Sequence, residues 1–94
     1  MAAYWIAHVN VTDARAYAAY QAQARGVFEA HGGRFLARGG RAVTLEGAAF
    51  ARHVIVEFPS IEDAQACYAS DQYRAARALR QGAAEVQIAI VEDM

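Results

Sequence analysis

The sequence predicts an α+β fold: one four-stranded antiparallel sheet with helices stacked on a single face. Three observations lead there. Segments rich in β-branched and aromatic residues alternate with segments that carry apolar residues at helical spacing, in the order β-α-β-β-α-β. Two glycine pairs, Gly32-Gly33 and Gly39-Gly40, punctuate the middle of the chain, where a helix must stop and a strand must turn. The 94 residues make one domain, 1–94, with no room for a second.

Residues Tyr4–Val11 (YWIAHVNV) are aromatic and β-branched and read as the first strand. Thr12 is a good N-cap, and Asp13 follows in the first turn, where the helix dipole favours an acid. A helix should run from about Asp13 to His31, with Tyr17, Tyr20, Ala24, Val27, Phe28 and His31 on one stripe. Arg25 and Glu29 stand four apart on its outer side. Gly26 interrupts the helix, and close packing on the sheet would account for it. Arg34–Arg38 is the second strand, and Arg41–Glu46 continues in extended form to a loop at Gly47–Ala51. Arg52–Phe58 (RHVIVEF) is the clearest strand, stopped by Pro59. Ser60, with Asp63 three residues on, caps a helix whose inner stripe is Ile61, Ala64 and Tyr68. Ser70-Asp71 marks a break and a fresh cap, and a second segment runs to about Gln81. Glu85–Glu92 (EVQIAIVE) is the last strand. Two right-handed split βαβ units then give a ferredoxin-like βαββαβ plait with strand order 4-1-3-2.

Composition narrows the function. The hydrophobic fraction of 56% includes 24 alanines, and Leu, Ile, Val and Phe together number only 20, so the core is thin and oligomerisation would help it. Nine arginines, no lysine and ten acids leave a net charge of −1, which does not seek polyanions. An RNA-binding plait also needs exposed aromatics on its central strands, and the third strand's open face offers His53, Ile55 and Glu57 instead. One cysteine, Cys67, can form no internal disulfide, and no Cys cluster could hold zinc or an iron–sulfur centre. No cofactor motif is present. No run approaches the ~20 apolar residues that cross a bilayer, and the N-terminus lacks signal-peptide features, so a cytoplasmic protein is expected.

Strand alternation separates two faces. Trp5, Ala7, Val9, Val11, Phe35, Ala37, Val54, Val56, Phe58, Val86, Ile88 and Ile90 are all apolar and should face the helices. The other face mixes Ile6, Leu36, Ile55 and Val91 with Tyr4, His8, Asn10, Arg34, Arg38, His53 and Glu57. A water-facing sheet would not carry those aliphatics, and a dry core would not carry those polar groups unpaired. A second sheet packed over a polar-lined cleft suits both, which predicts a homodimer through the open face.

In that cleft His8 and His53, on adjacent central strands, can act as general base and acid; the alternative is a histidine bonded across the sheet or interface. Glu57 is the third catalytic candidate. Its spacing from His53, four residues or ~13 Å along a strand, argues against a shared metal ion. Arg38, beside Gly39-Gly40, can fork onto the carboxylate or phosphate of a small anionic ligand, or pair with Glu46 or Glu57. Tyr4 and Asn10 line the cleft. Arg74, Arg77 and Arg80 read as a solvated ridge.

Over nearly its whole length the chain resembles the DUF1330 family of the dimeric α+β barrel superfamily. The resemblance rests on Ala3-Tyr4-Trp5-Ile6-Ala7, Val11-Thr12-Asp13 with Tyr17 and Tyr20, Gly32-Gly33-Arg34-Phe35-Leu36 with Arg38-Gly39-Gly40, and Leu45-Glu46-Gly47. It continues through Val56-Glu57-Phe58-Pro59-Ser60, Ala64, Tyr68-Ala69-Ser70, Tyr73 and Ala78-Leu79-Arg80. It implies a dimer, small cytoplasmic members without an assigned function, and a superfamily whose monooxygenases, isomerases and haem-handling proteins use the barrel cleft. The expectation is a homodimeric small-molecule-binding protein, an enzyme on an acidic or aromatic metabolite or else a non-catalytic binding or structural module.

Overall fold

The computed structural model describes residues 1–94. Its elements are β1 (Ala3–Val11), α1 (Ala14–Ala30), β2 (Arg34–Arg38), β3 (Arg52–Phe58), α2 (Ile61–Ala69), α3 (Asp71–Leu79) and β4 (Ala84–Glu92). The sheet order is β2-β3-β1-β4, which is the expected neighbour pattern read from the opposite edge, and every pair is antiparallel. Within one chain the sheet is open, with β2 and β4 as edges. The Cα envelope measures 33 × 32 × 17 Å, a two-layer slab with one sheet face bare.

Caps fix where the helices begin. Asp13, rather than Thr12, is the N-cap of α1, and its carboxylate accepts from the Arg15 and Ala16 backbone N–H groups. Ser60 accepts from Asp63 N–H to start α2, and Ser70 accepts from Tyr73 N–H to start α3, so the helical layer breaks where the sequence placed a second cap. At the other end of α1 the Gly33 N–H reaches the Phe28 carbonyl at 2.8 Å, and Gly32 takes φ +83°.

The core lies between the helices and the apolar sheet face. Trp5 is its hub, with ring centroids 5.0 Å from Phe28, 5.1 Å from Tyr73, 5.7 Å from Tyr68 and 6.0 Å from Phe58. On α1 the buried residues are Tyr17, Tyr20, Ala24, Val27 and Phe28, as the stripe predicts. On α2 they are Ala64 and Cys67. Tyr68 lies at the margin, 39% exposed, because the short helix turns its Cys67 side to the sheet.

Two expectations change. Gly26 faces solvent, and a Cβ added there would meet nothing within 4 Å, so no close packing explains it. Gly26→Ala should therefore stabilise the protein by about 0.5–1 kcal/mol, read as a higher urea midpoint at unchanged m-value. The second change is in β2. Phe35 opposes Val56, yet Ala37 opposes Ile55 and Arg38 opposes Val54, so a bulge at Leu36 shifts the register by one. A one-residue slip exchanges the faces. Ala37 comes onto the open face, and Arg38 joins the helix side, where its guanidinium lies 4.9 Å from the Phe35 ring centroid.

Candidate functional site

The open face is built around a pair of histidines. β1 and β3 pair so that His8 and His53 stand directly opposite, and their Nδ1 atoms meet at 2.8 Å. At that separation one Nδ1–H donates and the other Nδ1 accepts, so the two rings hold complementary tautomers. Both rings are half-buried, and Phe50 packs 5.9 Å from His8. Beside them lies a hollow of about 460 Å³, walled by Val43, Leu45, Glu46, Phe50 and Gln87.

The connection between β2 and β3 supplies most of that wall, and Asn10 holds it in place. The Asn10 amide donates to the Ala49 carbonyl at 3.1 Å and accepts from the Ala51 N–H at 2.8 Å. Asn10 is thus a clamp on the wall rather than a free lining group. The tip of the same connection leaves Val43 74% and Leu45 89% exposed.

Tyr4 and Glu57 occupy the other end of the face. They oppose each other across β1 and β3, and Arg34 bridges to Glu57 at 2.7 Å. The nearby Asp93 carboxylate, then burial, then Glu57 hold the Tyr4 phenol above its ordinary pKa. Four strand residues, ~13 Å, separate this cluster from the histidines, so the expected constellation divides into two. Arg38 belongs to neither: the Leu36 bulge carries it to the far side of the sheet, against the expectation that it shares the cleft. Between the two clusters run Ile6 and Ile55, opposite each other and half-buried, with Leu36 and Val91 about half exposed.

On the helix side the sequence reading missed Arg52 and Arg80. Arg52 opposes Val9, in step with Val54, Val56 and Phe58, and that alternation was the signal that could have placed it under α1. Gly39 makes room for it: φ is +71°, and a Cβ there would collide with the Arg52 guanidinium. Arg80 caps α3 and reaches Tyr73 Oη at 3.4 Å, while Tyr73 and Tyr20 share a hydroxyl contact of 2.7 Å. Arg77, by contrast, stays on the outer ridge and bonds the Tyr68 hydroxyl. Cys67 is fully buried, and burial pushes its thiol up to about 11, so it is no nucleophile at neutral pH. No helix is long and apolar enough to cross a membrane.

Comparison with solved structures bears on the fold. A protein of unknown function from Rhodopseudomonas palustris is 24% identical, with TM-score 0.80 over 99% of this chain and 82% of its own. A dimeric ferredoxin-like protein of unknown function from Jannaschia sp. CCS1 is 8% identical, with TM-score 0.69 over 99% and 100%. SnoaB, a cofactor-independent oxygenase from Streptomyces nogalater, is 9% identical, with TM-score 0.68 over 99% and 93%. At these identities the likeness establishes the ferredoxin-like fold. No curated protein matches the chain. The family model described as domain of unknown function DUF1330 matches residues 2–94, and the chain belongs to that family.

Proposed function

We propose that the protein works as a homodimer that closes open face on open face, with a small aromatic metabolite held in the cleft against the His8–His53 pair. The 2.8 Å histidine contact carries this reading. It lies half-buried beside a hollow, on a face whose aliphatic residues have no cover within one chain. The exposed Val43 and Leu45 would find their cover in the same partner. Support for the dimer comes from the ferredoxin-like neighbours described as dimeric, from Jannaschia and from Bacteroides fragilis. SnoaB, which shares this fold, is described as a cofactor-independent oxygenase.

In this cleft His8 or His53 would accept a substrate proton through the pair, Tyr4 would offer a hydroxyl at the far end, and Glu57 would act through Arg34. The correction to Arg38 removes the anion holder from the open face, which moves the expected ligand from acidic towards aromatic. A second reading has its own observation. Asn10, Glu57 and both histidines already have partners within the chain, as they would in a non-catalytic dimeric module.

Thermal-shift screening against small neutral aromatics separates the two, followed by His8→Ala on each hit. The first reading expects at least one hit, and affinity lowered tenfold or more in the variant. No hit, or a hit that His8→Ala leaves unchanged, supports the non-catalytic module.

A further inference from the structure

A second cavity lies on the opposite side of the sheet from the histidines, between α1 and the apolar face. Its volume is about 240 Å³, and Trp5, Phe28, Phe35 and Val54 supply its apolar wall. Arg38, Arg52 and Arg80 also line it, and no lining residue is acidic. None of the three has a carboxylate within 4.0 Å; the chain's ion pairs join Arg25, Arg34 and Arg74 to Glu29, Glu57 and Asp71.

Each of these arginines instead lies over an aromatic ring. Arg38 is 4.9 Å from the Phe35 centroid, Arg52 5.9 Å from Tyr17, and Arg80 4.9 Å from Tyr20. A ring contact uses the face of a guanidinium and leaves its in-plane N–H donors available. Two of those donors, Arg52 Nε and Arg80 Nε, are buried without any acceptor. Buried donors of charged groups are seldom left so, and an oxygen of a ligand seated in the cavity would pair with them. The tyrosines cannot supply the missing charge. Burial holds the Tyr17 and Tyr20 phenols above their ordinary pKa, so both are neutral near pH 7.

We propose that this cavity binds an organic carboxylate with a compact apolar body, its charged end held by Arg38, Arg52 and Arg80 and its body against Trp5 and Phe28. The apolar wall selects the body, and the guanidinium forks match a carboxylate. The site is separate from the open-face cleft and does not depend on the function proposed for it.

Trp5 is the chain's one tryptophan and lines the cavity, so its fluorescence reports occupancy directly. It is 1% exposed, so a free solute has little access to it and a bound one does. 4-Nitrobenzoate should quench it saturably, and the neutral isostere 4-nitrobenzyl alcohol should bind at least tenfold more weakly. Arg38→Gln and Arg52→Gln should each weaken 4-nitrobenzoate fivefold or more, with far-UV circular dichroism unchanged. Arg38 is on the exposed rim, so its variant carries the test if Arg52→Gln does not fold. Quenching that fails to saturate, equal binding of the alcohol, or wild-type affinity in a folded Arg38→Gln overturns the assignment.

Discussion

Replacing Trp5 by alanine will remove about 3–5 kcal/mol of stability, the largest loss expected from any single truncation in this chain. Four aromatic rings pack around that indole within 6.0 Å, from α1, β3 and the α2–α3 layer. Only Phe28 and Tyr73 have as many aromatic partners, and Trp5 is the largest of the three side chains and 1% exposed. The void left behind can collapse only partly, because β1 is central in the sheet and held on both sides by β3 and β4. Domains of this size are stable by only about 5–15 kcal/mol, so the loss removes a large fraction of the total and should lower the urea midpoint strongly. Urea unfolding followed by far-UV circular dichroism measures this without the lost fluorophore. Trp5→Phe, which keeps a ring against Phe28 and Tyr73, should cost clearly less. A loss below about 1 kcal/mol for the alanine variant would mean that the core is organised elsewhere.

The same hub shows what could be read from the sequence. Trp5, Ala7 and Val9 alternate with Tyr4, Ile6 and His8, and period two alone divides the faces. Both histidines were therefore assignable to one face, and the plait topology made their strands neighbours. Their direct opposition depends on the β1–β3 register, which no local feature of either strand encodes. Arg38 was misplaced because Arg34-Phe35-Leu36-Ala37-Arg38 alternates as a regular strand would. The bulge sits at a leucine, without the glycine that often betrays one. Arg80 was assigned to an exposed ridge with Arg74 and Arg77 because all three fall at helical spacing. The helix stops at Leu79, and a residue at the C-cap no longer follows that spacing. Asn10 could not be understood from its neighbours, since its partners are 39 and 41 residues away.

The proposed open-face dimer predicts that Ile55→Asp will be monomeric at micromolar concentration with its fold intact. Ile55 opposes Ile6 at the centre of the open face, between the histidine cluster and the Tyr4–Glu57 end. Its side chain points away from the helix-side core, as its half-exposure in a single chain requires, so a carboxylate there stays hydrated in the monomer. A two-fold interface would present the new charge twice, in the middle of the buried area. A buried charge without a partner costs several kcal/mol, and each 1.4 kcal/mol is about tenfold in Kd, so dissociation should become at least a hundredfold easier. Sedimentation velocity on both proteins, with circular dichroism as the check on folding, gives the answer. A monomeric wild type would remove the dimer altogether. A variant that dimerises as tightly as the wild type would place the interface on another surface, and the histidine pair would then face open solvent with no cleft above it.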